Sequence, residues 1–290
     1  MDISRRNVVL SALSTLAVSD GARAAAAPVL EAQGGQYSSF DGARLFYRRM
    51  GKGPPVLLLH GFLSDGPRTW FNTGIAQAIV TAGFSVIAPD ARAHGLSAAT
   101  PEPYPKDVLA QDAEALISTL KLRNYRLFGY AMGARTVVRL MTRGARPERC
   151  VLGGVGALGV LDPERVSAPN IETIRTGRNA RDARLGVLVQ SAIRIQKLKP
   201  SALIAVLTAQ VPTTRAALEA IHTPVLILDG DKDDVEGSPT ELAALMSAAA
   251  VIRTPGDHVS ALREARFAQL AAAFLKSDEP PARFVAAQAL

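Results

Sequence analysis

The segment Gly129-Tyr130-Ala131-Met132-Gly133 sets a glycine two positions before and two positions after one central residue, and it lies between a strand-like and a helix-like stretch. A sharp strand-to-helix turn forces strained dihedrals on its central residue and leaves no room for bulky neighbours at those two positions. The central residue here is Ala131, whose methyl group has no lone pair and no acidic proton, so it cannot attack a carbonyl. The segment also lacks the Lys-Ser/Thr of a phosphate loop, and no Gly-x-Gly-x-x-Gly opens the first buried strand, which disfavours nucleotide binding. His60, His94, His222 and His258 are dispersed, and none shows ligand spacing with another. With Cys150 as the lone cysteine, neither an internal disulfide nor a cysteine-cluster metal site can form. No metal and no cofactor is expected.

The elements that must position these residues read as an alternation. Tyr37 to Tyr47, with Asp41-Gly42 inside it, predicts an antiparallel hairpin, and Gly51-Lys52-Gly53-Pro54 a turn. Pro55 to Leu59 is a continuous apolar run, as expected of a strand covered on both faces. Strands follow at Phe84 to Ala88, Tyr125 to Phe128, Cys150 to Val155, Pro224 to Leu228 and Val251 to Thr254. Helices are expected at Trp70 to Ala82, Lys106 to Leu120, Met132 to Arg143, Glu241 to Ala248 and Ala261 to Leu275. The fold class is α/β, with a mostly parallel, doubly wound sheet. Between about Ala157 and His222 the alternation stops, and Ile171 to Leu188, Ile193 to Lys197 and Ser201 to Ala209 read as helices, an insertion expected to form a lid. Ser277 to Leu290 reads as a loosely held tail.

The 290 residues carry 33 Lys plus Arg against 26 Asp plus Glu, a formal net charge of +7, with 48% hydrophobic residues. That apolar share excludes a disordered or fibrous chain. No basic run interleaved with aromatics appears, so nucleic acid is not an expected partner. Nine basic residues against five acids fall in 157–222, read either as a solvated face or as a bias toward anionic or polar substrates. Arg5 and Arg6 precede the apolar stretch Val8 to Val18, and Ala22-Arg23-Ala24 supplies small residues for cleavage. Residues 1–26 thus read as a twin-arginine-like export signal, and the protein is expected to be periplasmic or secreted. No later segment is long enough for a membrane span, and the sequence sets no oligomeric state.

The order of the motifs resembles the α/β-hydrolase family from about Gln36 to Leu275. His60-Gly61-Phe62 resembles the family's oxyanion loop, and Asp90-Ala91-Arg92-Ala93-His94-Gly95-Leu96-Ser97 its Asp-x-Arg-x-His-Gly-x-Ser loop, in which His94 would orient rather than act as a base. Gly129 to Gly133 takes the place of the nucleophile elbow, where the family has serine and this chain has Ala131. In Asp229-Gly230-Asp231-Lys232-Asp233-Asp234, the family's Gly-x-x-Asp falls on Gly230 and Asp233, with Asp231 as the alternative acid. Gly256-Asp257-His258 matches the catalytic histidine. The resemblance implies a core of 36–156 and 223–276 with a lid of 157–222. It implies Ala131, Asp233 and His258 as the catalytic set, the amides of Phe62 and Met132 as the oxyanion hole, and Leu63 and Tyr130 beside the substrate. His222 and Trp70 are expected to lack chemistry, Trp70 packing beneath the oxyanion loop.

Two accounts of Ala131 follow from the resemblance. The chain is an inactivated Ser→Ala form of an ester, lactone or amide hydrolase acting on a small molecule. Alternatively alanine is native, and the site either runs His258/Asp233 chemistry of the lyase or cofactor-free oxygenase kind or only binds its ligand.

Overall fold

The computed structural model describes residues 32–97, 99–179 and 183–288; the export signal expected at residues 1–26 lies outside them. Eight strands form one sheet: β1 (Gln33–Ser38), β2 (Arg44–Gly51), β3 (Pro55–Leu59), β4 (Ser85–Pro89), β5 (Arg126–Tyr130), β6 (Cys150–Gly153), β7 (Val225–Gly230) and β8 (Ala249–Thr254). Their order is β1-β2-β4-β3-β5-β6-β7-β8. The hairpin β1–β2 is antiparallel, as is β2 on β4, and every pairing from β4 to β8 is parallel.

Because successive strand side chains point to opposite faces, a strand covered on both sides needs apolar residues at every position. Leu57 and Leu59 of β3, Leu127 of β5 and Val225 and Ile227 of β7 enter one core, under α2 (Val108–Thr119), α3 (Met132–Thr142) and α9 (Pro239–Ala244). Val56, Leu58, Phe128, Leu226 and Leu228 enter the other, under α1 (Ile75–Thr81), α10 (Ala265–Lys276) and α11 (Pro281–Ala287). Trp70 is fully buried in this second core, its ring 4.8 Å from that of Phe128.

Between β6 and β7 stand α4 (Ala157–Leu161), α5 (Pro163–Thr176), α6 (Ala183–Ile195), α7 (Pro200–Thr208) and α8 (Arg215–Glu219). The single helix expected over Ile171 to Leu188 is corrected: Gly177, at φ 73°, ends α5, and Ile193 belongs to α6. The left-handed region favours glycine, so Gly177 is a stop signal that apolar periodicity alone overrides. A second break divides the helix expected from Trp70 to Ala82. A π-helical turn covers Pro67–Phe71, Gly74 takes φ 81°, and α1 starts at Ile75.

The C-terminal stretch is also corrected, since α11 is docked rather than loose. Phe284 is buried, with its ring 5.2 Å from Phe274 in T-shaped contact. Phe284→Ala should destabilise the fold by about 3 kcal/mol. A urea midpoint unchanged by the substitution would show that α11 contributes nothing to the core.

Candidate active site

The elbow forms where β5 runs into α3. Ala131 adopts φ 49° and ψ −116°, a combination that costs a non-glycine residue about 1–3 kcal/mol. The turn is held by Ala131 N–H on the Gly153 carbonyl at 2.8 Å and by Arg135 N–H on the Ala131 carbonyl at 3.0 Å. A Cβ at Gly133 would stand 1.9 Å from the Leu59 carbonyl oxygen, and one at Gly129 2.3 Å from the Gly133 carbonyl oxygen. Both glycines are therefore required by close backbone approach, and the strained central position survives although its side chain is a methyl.

His258 enters from the loop after β8 and Asp233 from the loop after β7. Their Nδ1 and Oδ2 atoms are 2.7 Å apart. Asp233 also accepts the Val235 N–H on Oδ1 at 3.1 Å, whereas Asp231 accepts the Gly256 N–H at 2.9 Å and shapes the neighbouring turn. It is thus Asp233 that meets the imidazole. With Nδ1–H donating to Asp233, Nε2 keeps its lone pair, the tautomer a general base requires. Burial alone would depress His258, but the hydrogen bond and charge of Asp233, with Glu236 and Asp229 behind it, outweigh that and raise its pKa. Burial works against ionisation of Asp233 too, and the bond to His258 overcomes it and lowers its pKa.

Tyr130, expected beside the substrate, has its ring 5.5 Å from that of His258. Its ring is buried against Phe267, and its hydroxyl donates to the His258 carbonyl at 2.7 Å. The residue next to Ala131 thereby pins the loop that carries the histidine.

The loop after β3 is fixed by two buried histidines. His60 Nδ1 lies 2.8 Å from the Gly61 carbonyl and its Nε2 accepts the Ala91 N–H at 2.8 Å. His94 Nδ1 lies 2.9 Å from the Arg92 carbonyl and its Nε2 accepts the Leu63 N–H at 3.2 Å. Each is a neutral imidazole with one donor and one acceptor used, and burial lowers the pKa of both. Leu63 takes φ 56°, and its carbonyl accepts from Gln196 Nε2 at 3.0 Å, which joins the insertion to the loop. Phe62 packs against Met132 and Val206. Among the described residues, no backbone hydrogen bond outside the helices and strands is donated by the Phe62 or Met132 amide.

The remainder of the Asp90 to Ser97 loop is scaffold. Asp90 accepts from Arg48, Gly66 N–H and Leu96 N–H, and fully buried Arg92 bridges Asp41 and Asp112. His222 is exposed and meets Ser247 Oγ at 3.1 Å, away from the site.

Three buried groups here escaped sequence reasoning. Asp229, at the end of β7, has its pKa raised by burial and then by the charge of Asp233. Glu236 is buried, faces Arg135 at 3.5 Å, and has its pKa raised chiefly by burial. Since Arg135 sits one turn into α3, this pair ties the elbow helix to the acid loop. No spacing rule marks any of the three: Arg135 and Glu236 meet across 101 residues, and Asp229 stands in a run of acids alike in sequence. Asp229→Asn retains a donor toward Asp233 but removes a charge that helps to raise His258, so the NMR titration of His258 should move to lower pH. An unchanged titration would mean that Asp229 stays neutral while His258 titrates.

An eight-stranded sheet with this strand order, and an elbow at the carboxyl end of β5, defines an α/β-hydrolase-fold protein. The α/β hydrolase fold family profile matches residues 54–151. An esterase from Exiguobacterium antarcticum superposes with a TM-score of 0.68 at 19% identity, covering 84% of this chain and 100% of the esterase. Over 103 residues the chain is 35% identical to a non-heme chloroperoxidase of Kitasatospora aureofaciens, which is 36% of each protein. Over 160 residues it is 33% identical to an N-formylmaleamate deformylase of Pseudomonas putida, 54% of this chain and 52% of the relative. The chain therefore spans between a third and about half the length of these curated relatives.

Proposed function

We propose that this chain carries the site of a carboxylic ester hydrolase acting on a small molecule, with lactones and amides as close alternatives, and that Ala131 leaves it without its nucleophile. The observation that carries this reading is the strained elbow at Ala131, whose neighbour Tyr130 has its ring 5.5 Å from that of His258, together with the His258–Asp233 pair at 2.7 Å. A serine there would give its proton to His258, and Asp233 would steady the imidazolium that results. The amides of Phe62 and Met132, the latter at the start of α3, would receive the developing oxyanion. The 33% identity over 160 residues to an N-formylmaleamate deformylase supports the same class. The leader read from residues 1–26 supports an exported protein, and N-terminal sequencing of the mature chain tests that.

The intact dyad favours a second reading. His258, with 24% of its side chain exposed, can reach water or substrate as a base without any serine. p-Nitrophenyl acetate and butyrate assays on the unmodified chain, Ala131→Ser, His258→Ala and the double variant separate the two. Turnover confined to Ala131→Ser supports the first reading. Turnover by the unmodified chain that His258→Ala abolishes supports the second, and silence in every folded variant overturns both in favour of a binding protein.

A further inference from the structure

Helix α6 of the insertion is apolar around most of its circumference and yet lies at the surface. Its inner face is seated: Ile193 packs with Ile174, Leu203 and Leu207, and a Cβ at Gly186 would stand 2.9 Å from the Gly177 carbonyl oxygen. At 100° per residue, Leu188 and Ile195 project opposite Gly186 and Ile193, with Leu185 and Val187 on the flanks. These four are 63%, 69%, 45% and 66% exposed, respectively. Arg184 and Ser191 share this outer half, so the exposed face is an apolar stripe interleaved with polar residues rather than a buried all-apolar surface.

Charge identifies the chemistry of that partner. Between Glu172 and Glu219 the sequence has eight basic residues, Arg175, Arg178, Arg181, Arg184, Arg194, Lys197, Lys199 and Arg215, against one acid, Asp182. Among them Arg175, Arg178, Arg194 and Lys197 are exposed. A second copy pairing through this face would set two basic surfaces against each other. An exposed apolar helix face rimmed by Arg and Lys is instead the pattern of an interfacial helix on anionic lipid. The end of α6 is tied to the loop after β3. Gln196, directly after α6, is bonded to the Leu63 carbonyl, and exposed Val235 and Val259 flank Asp233 and His258 at the same carboxyl edge of the sheet.

We propose that the outer face of α6 docks on an anionic lipid surface, with Leu185, Val187, Leu188 and Ile195 entering the headgroup boundary and the neighbouring arginines and lysines meeting the lipid phosphates. The docking is peripheral, since among the described residues no helix is long and apolar enough to cross a membrane.

Co-sedimentation of the full chain tests it, using vesicles of phosphatidylcholine alone and of phosphatidylcholine with phosphatidylglycerol. Binding is expected only to the anionic vesicles and should weaken as salt is raised. The double variant Leu188→Ser, Ile195→Ser should bind about ten-fold less, and Arg194→Glu should also bind less, with unchanged circular dichroism. Because Cys150 is buried, Ile195→Cys can be labelled selectively with an environment-sensitive dye, whose emission should shift to the blue on anionic vesicles. Equal binding by the double variant, no binding at all, or a dimer in light scattering that the double variant dissolves would each overturn the proposal.

Discussion

Ala131→Ser should raise p-nitrophenyl butyrate turnover roughly ten-thousand-fold or more over the unmodified chain, the scale on which loss of a nucleophile silences a serine hydrolase. The substitution adds one oxygen to a Cβ that already stands at φ 49° and ψ −116°, so the backbone strain is present before the serine arrives. The proton acceptor is also in place, because Nδ1 is committed to Asp233 and Nε2 is left basic. The rate should follow deprotonation of His258. Its pKa is raised, so activity should climb with pH through an apparent value above 6.5, and Asp233→Asn should move that limb to lower pH while reducing the plateau. Adding His258→Ala to Ala131→Ser should return turnover to the unmodified level. A folded serine variant with no ester turnover above that of the double variant would sink the hydrolase reading.

Local rules sufficed wherever the reacting groups sit at strand ends. Pro55 to Leu59 is read as a buried strand because every residue is apolar, and the sheet uses Val56 to Leu59, alternately, on two faces. The elbow was legible because backbone crowding demands Gly129 and Gly133, and His258 because it follows a strand at the family's position. The same rules failed where a contact spans the chain. Tyr130 faces the histidine loop because β5 lies between β3 and β6 and its hydroxyl reaches a residue 128 positions later. Asp229 stands in an acidic cluster whose members are alike in sequence, and only burial distinguishes a carboxyl that faces Asp233 from Asp231, which shapes a turn. In the insertion, apolar residues surround the helices, so periodicity could not place their ends; a left-handed glycine did.

Acid should loosen this protein through His94 before most carboxylates titrate. The ring is fully buried; burial, then the nearby His60, lower its pKa to about 3 from an ordinary 6.5. The neutral form is also the one the hydrogen bonds require: Nε2 accepts the Leu63 N–H, and a proton placed there would face that donor. The unfolded chain takes up this proton near pH 6.5 and the folded chain does not, so the stability is whole above 6.5 and falls as pH drops toward 3. At about 1.4 kcal/mol per unit, the loss reaches about 5 kcal/mol at the lower end, comparable to the whole stability of many domains. His60, buried neutral in the same manner, adds to the slope in the same direction. His94→Gln, which offers an acceptor to Leu63 without titrating, should flatten urea stability between pH 6.5 and 4. An unaltered slope, or a His94 resonance that titrates near 6.5 in the folded protein, would refute this assignment. Since the Leu63 amide follows Phe62 directly, protonating His94 removes the anchor of the oxyanion loop, and the Ala131→Ser enzyme should lose activity in acid before it loses its secondary structure.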